Sequence, residues 1–246
     1  MLSLIQAEFI KLKRKLVILI ALLSSALPPL INILYTLNLP ENSNINATFK
    51  DFYQSSFTFT QWILLPCVLG TLGSILLFNE RENGTLKELM IIPVNKAWFL
   101  FSKLSILFVF SILFMFLTGV FTVAGALAVG YSDMTPAWIL RLFEICAKTG
   151  ILTVFSSMPI VFIAVAAKQG YILPACATLM YSISGLIFAS KLTGIHPLAS
   201  VAGIVWYRNI EGIEMSANLM MCVLNIAVVT MLSFIASVFV LKKQNY

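Results

Sequence analysis

The sequence predicts an all-α polytopic membrane protein, a single transmembrane domain over residues 1–246 with six membrane-spanning helices. Two observations carry that expectation. Of 246 residues, 60% are apolar and only 11% charged, with a mean hydropathy of +0.96. Soluble globular chains run about 25% charged and 45–50% apolar. Sixteen cations and ten acids cannot clothe a soluble domain of this size, and the same composition excludes disorder, a disulfide scaffold and a collagen-like chain. The second observation is the set of apolar runs. A hydrocarbon core of ~30 Å needs about 20 consecutive apolar helical residues, and six segments reach that length.

The first segment runs Leu16 to Leu37 and carries Pro28-Pro29, where a kink is expected. Its 22 apolar residues exceed the ~7–15 of a signal-peptide core, so it is read as a span. The second runs from about Thr58 to Phe78 with Pro66 inside, and the third from about Ser105 to Gly130. The fourth runs from about Ile145 to Ala167, the fifth from Tyr171 to Ser190, and the sixth from Asn218 to Leu241. Residues 1–15 place Leu2, Ile5, Phe9, Leu12 and Leu16 at steps of three and four, the pattern of an interfacial amphipathic helix. Residues 38–57 are polar and read as a loop, with an Asn46-Ala47-Thr48 sequon taken as chance. Between the fifth and sixth spans, 191–217 holds an apolar patch, Ile195 to Tyr207, too short to cross and read as re-entrant or interfacial.

Lysine and arginine set the expected orientation. Eleven cations against four acids fall on one set of connections, net +7, and five against six on the other, net −1. The positive side is cytoplasmic, so both termini are expected in the cytoplasm of a multi-pass plasma-membrane protein. In such a chain the overall charge of +6 expresses topology rather than nucleic-acid binding.

Catalytic equipment is sparse. Cys67, Cys146, Cys176 and Cys222 are far apart, and the single histidine, His196, precedes Pro197 in a turn. These residues suit packing better than metal ligation. Five spans lack any Asp, Glu, Lys, Arg or His within their apolar runs, and Lys148 sits near the outer end of the fourth. Ion-coupled transport, and a membrane phosphatase or protease, need such groups at depth. Ser156-Ser157 beside Met158-Pro159 reads as helix kinking and packing rather than a nucleophile.

The sharpest local feature is the connection 79–97. Asn83-Gly84 signals a turn, and Thr85 with Glu88 forms a capping box. Leu86, Leu89 and Met90 then share one face before Pro93 stops the helix. A short capped helix with an apolar knuckle fits either a groove on a soluble partner or the lipid headgroup layer. Glu80-Arg81-Glu82-Asn83-Gly84-Thr85-Leu86-Lys87 with Pro93 beyond resembles the cytoplasmic turn of type-2 permeases of ABC exporters. The opening Glu8-x-x-Lys11-x-x-Arg14 is similar to small permeases of that family, most of all those for bacitracin or lantibiotic resistance and immunity.

That resemblance implies that Glu80, Glu82, Gly84 and Thr85 shape the turn, and that Leu86, Glu88, Leu89 and Met90 up to Pro93 couple to a separate ATPase. No G-x-x-x-x-G-K-[ST] phosphate loop occurs in the chain. ATP and magnesium are therefore expected on two ATPase subunits, with no cofactor or metal on this chain. A second permease copy, or a related permease, would complete the transporter, and its cargo would be an amphiphilic peptide antibiotic. Thr71, Ser74, Thr178, Tyr181, Ser182 and Ser184 are the candidate lining of a substrate path in the second and fifth spans, with helix packing as the plainer role. Arg141, Glu144 and Lys148, at steps of three and four, together with Arg208, are candidates for an outer vestibule. Intrahelical pairing and interfacial anchoring are the plainer roles there. Two other functions fit the same features: export of another hydrophobic substrate such as a lipid or drug, and a non-transporting scaffold or sensor that docks a cytoplasmic partner through 79–93.

Overall fold

A computed structural model describes Gln6, Phe9–Lys11 and residues 16–40, 45–82, 96–167, 170, 172–206 and 218–243. Among these residues the structure is helical, without strands. Five helices are long and apolar enough to cross a membrane: α1 (Leu16–Leu37), α2 (Phe49–Glu80), α3 (Lys96–Val129), α4 (Pro136–Ala166) and α7 (Leu219–Lys243). The fifth expected span is a shorter helix, α5 (Ile172–Ile187), of 16 residues. The apolar patch before the last span is α6 (Pro197–Val205), nine residues buried along nearly their whole length. It is too short to cross.

The proline positions explain the breaks. In α1, Pro28 and Pro29 offer no N–H, and the chain tightens to a 3-10 turn over Ser24–Ala26, where Leu27 N–H donates to Ser24 O. Before Pro66, α2 instead widens to a π turn over Thr60–Leu64, with Leu65 N–H reaching Thr60 O. In α4 the helix breaks at Ser157, whose hydroxyl donates to Thr153 O just ahead of Pro159.

One expectation is corrected. Residues 38–57 are not simply a loop, because Phe49–Phe59 is helical and runs on into the second span. Thr48 caps Asp51 N–H, and the Asp51 carboxylate accepts from Thr48 N–H in return, a capping box. Phe49, Phe52, Tyr53 and Phe57 form its buried face, against Tyr131 and Trp138. Asn46, at φ 55°, lies just ahead of that cap. Its side-chain amide donates to Asn32 Oδ1 (2.9 Å) and Thr36 Oγ1 (3.0 Å), while Tyr131 OH donates to its carbonyl (2.6 Å). Asn32 in turn donates to Phe52 O and Ser56 Oγ. This polar knot ties α1, α2 and the α3–α4 turn together and buries the sequon asparagine.

Burial is uneven. The faces of α2, α3 and α4 that meet form the core. In α7 only Cys222, Ile226, Ser237 and Leu241 are buried, and most large apolar side chains of α1 and α7 point outward. With no apolar driving force between helices in lipid, such faces need no protein partner.

Candidate functional site

The basic end of the bundle holds a buried ion cluster. Glu80 Oε1 accepts from Lys103 Nζ at 2.8 Å and from Lys11 Nζ at 3.1 Å. The side chains of Glu80 and Lys103 are 6% and 3% exposed, while that of Lys11 is 51% exposed. Lys103 also lies 5.3 Å from the Phe99 ring centroid, a cation–π distance. Glu80 therefore points inward, joining the last turns of α2 to α3 and to the segment before α1, whereas Glu82 two residues on is exposed. Lys96 Nζ donates to Leu241 O at 3.1 Å, so residues 11 and 241 lie at the same end of the bundle. Gly84, Thr85, Leu86, Glu88, Leu89, Met90 and Pro93 lie outside the described residues.

Lys11 and Lys103 were not candidate site residues on sequence grounds. The signal that could have found Lys103 is its position inside an otherwise apolar helical run, Phe101 to Phe110, where a cation needs a carboxylate.

The second cluster joins α2 and α5. A Cβ placed on Gly70 would fall 2.3 Å from Thr178 Oγ1, so only glycine permits this approach. Ser74, Thr178 and Ser182 are buried in or beside this contact. The Ser74 and Thr178 hydroxyls donate to Gly70 O and Pro174 O within their own helices, and Cys67 S–H faces Ser182 Oγ at 3.9 Å. Tyr181 OH donates to Ser156 O at the α4 break (2.6 Å). Thr71 is exposed, its hydroxyl turned back onto Cys67 O and Val68 O. Ser74, Thr178 and Ser182 thus lie at the α2–α5 contact, while Tyr181 turns to the α4 break and Thr71 is exposed.

Within the π turn, Gln61 is buried and its Oε1 accepts from Trp206 Nε1 at 2.6 Å, just past α6. Among the described residues the amide nitrogen of Gln61 has no hydrogen-bond partner.

At the opposite end, Arg141, Glu144 and Lys148 come together on one cleft. With Leu140, Ile145 and Val205 they line an open cleft of 460 Å³. Lys148 pairs with Glu144 four residues earlier, and Arg141 sits over the Trp138 ring at 5.9 Å. Arg208 lies outside the described residues.

His196 packs on Tyr181, ring centroids 4.6 Å apart, in space that a side chain at Gly185 would occupy. Burial lowers its pKa, and Nδ1 has no hydrogen-bond partner among the described residues. Its Nε2 is 3.4 Å from Ser184 Oγ, but that hydroxyl donates to Tyr181 O. Among the described residues no acid orients the ring, as a nucleophile–base pair would require. Among the described residues no group of three His, Cys, Asp or Glu could hold a metal.

Residues 4–185 match the family described as "ABC-2 family transporter protein". The chain belongs to the ABC-2 transporter family. It is a membrane transport subunit, as that family's members are. The chain is also similar to the bacitracin transport permease protein BCRB of Bacillus licheniformis, 23% identical over 159 residues, which cover 64% of this chain and 76% of that permease. No solved structure matches it. Glu80 fixes the end of α2, immediately before 83–95, to two other elements at once.

Proposed function

We propose that this ABC-2 permease is the membrane half of an ATP-driven exporter that removes an amphiphilic peptide antibiotic of the bacitracin or lantibiotic type. The observation that carries the reading is the family match over residues 4–185, to which the similarity to a bacitracin transport permease adds a substrate class. Two ABC ATPase subunits bind ATP and magnesium and dock on 79–97, and two permease chains, identical or related, form the pathway. The protein sits in the plasma membrane with both termini cytoplasmic. The charge asymmetry of +7 against −1 supports that orientation, as do residues 11 and 241 sharing one end of the bundle, which suits an even number of crossings by six helices including α5 and a re-entrant α6.

In this reading the buried Glu80–Lys103 pair works as a lever joint. Movement imposed on 83–95 by a closing ATPase pair passes through Glu80 into α2, α3 and the segment before α1 as one rigid-body shift. The pathway then opens along the α2–α5 region and discharges near Arg141, Glu144, Lys148 and Arg208. Co-expression of the permease with its cognate ATPase should protect susceptible cells against bacitracin. Protection only against hydrophobic drugs would move the cargo to the lipid or drug class. A tagged permease that captures no ATPase from its native membrane would leave a scaffold or sensor as the function.

A further inference from the structure

An apolar cleft lies directly above the ion cluster. Its walls are Ile18 and Leu22 of α1, Leu72 and Leu76 of α2, and Ile106 and Phe110 of α3, and they enclose 340 Å³. Phe9, Val109 and Leu113 form its rim and are 39%, 39% and 48% exposed, so the cleft opens sideways rather than into the bundle. At ~1.5 Å per helical residue, Ile106 lies about 5 Å and Leu113 about 15 Å beyond Lys103. That interval matches one leaflet of a ~30 Å hydrocarbon core.

We infer that this cleft holds one acyl chain of an anionic phospholipid from the leaflet at the basic end. Size decides against a helix. One turn of a ~10 Å helix fills roughly 400 Å³, more than the whole cleft, and its lateral opening suits a single flexible chain. Chemistry decides against water, since every described wall residue is apolar and such voids take up hydrocarbon. Charge names the headgroup. Lys11, Lys13, Arg14 and Lys15 immediately precede α1, with Glu8 the only acid among the first fifteen residues. Clusters of this kind beside a span select anionic lipid. Phe9 on the rim and Lys11 at the ion cluster place the same short segment against both the tail site and the carboxylate. The lipid would complete the packing of the segment before α1 against α2 and α3. This site does not depend on the identity of the cargo.

The test uses the full-length protein, delipidated in detergent and given equal amounts of dioleoyl-phosphatidylglycerol and dioleoyl-phosphatidylcholine, with retained lipid counted by native mass spectrometry. One phosphatidylglycerol per chain is expected, favoured about tenfold over phosphatidylcholine, since a few basic residues contribute that much. Leu22→Trp should fill the cleft and lose that lipid. Val109→Trp, on the half-exposed rim, blocks the opening without touching the core and should lose it too, which keeps the test decisive if Leu22→Trp fails to fold. Lys13→Gln/Arg14→Gln/Lys15→Gln should keep a lipid but lose the headgroup preference. Equal retention by wild type and Val109→Trp would overturn the assignment, as would equal retention of the two lipids by wild type. Displacement of the lipid by bacitracin would also overturn it, assigning the cleft to cargo.

Discussion

Replacing Glu80 with glutamine should destabilise the protein far more than its single lost charge suggests. At 2.8 Å the Glu80–Lys103 attraction is about 6 kcal/mol at an effective dielectric of 20, and desolvating the two ions offsets most of it. The net stabilisation from the pair is therefore small. Removing one member is different, because it takes the facing charge from the other at 3% or 6% exposure, which costs roughly 3–5 kcal/mol. Glu80→Gln should fall in that range. Lys103→Met should fall at its lower end, because Lys11 still meets the carboxylate. Lys11→Met, at a side chain 51% exposed, should cost under about 1 kcal/mol. The double variant Glu80→Gln/Lys103→Met removes both ions of the pair together and should be more stable than either single variant. Denaturant unfolding of the detergent-solubilised protein, followed by tryptophan fluorescence, gives all four values. Losses that simply add in the double variant would refute the buried pair.

Three further outcomes follow from particular contacts. Gly70→Ala should cost about 1–3 kcal/mol by overpacking against Thr178, and Thr178→Gly in the same chain should recover much of it in the same unfolding assay. Trp206→Phe removes the donor to Gln61 and leaves a buried carbonyl oxygen unpaired, a loss of about 1–3 kcal/mol, whereas Trp206→Phe/Gln61→Leu should be closer to wild type. Burial holds the His196 pKa below its ordinary value, so the unfolded chain takes up the proton more readily. Stability should then be fully present above about pH 6.5 and fall as the pH drops through the lowered folded value. His196→Gln should flatten that acid limb in melting curves taken from pH 8 to 5, and an unchanged slope would remove His196 as its source.

What the sequence revealed was local. Six apolar runs, the kink at Ser157 and the Glu144–Lys148 pair all involve residues within a few turns of one another, where hydropathy and helical spacing speak directly. The helix over Phe49–Phe59 was missed because Lys50, Asp51, Gln54 and two serines lower its hydropathy. The Thr48–Asp51 box and the aromatic spacing Phe49, Phe52, Tyr53, Phe57 were the signals available. The ion cluster was hidden for another reason. Glu80 meets Lys11 across 69 residues, and Gln61 meets Trp206 across 145, and no periodicity encodes such pairings. Charges near span ends announce topology first, so Lys11 and Lys103 looked like orientation signals while one of them is buried against a carboxylate.

The most direct test of the transport reading is the ATPase rate of the cognate ABC ATPase reconstituted with this permease in vesicles, with and without bacitracin. Wild type should show a rate raised by the peptide, and Gly84→Val or Glu82→Lys should insert normally yet abolish the rise. An unchanged rise in both variants would contradict coupling through the segment that follows Glu80.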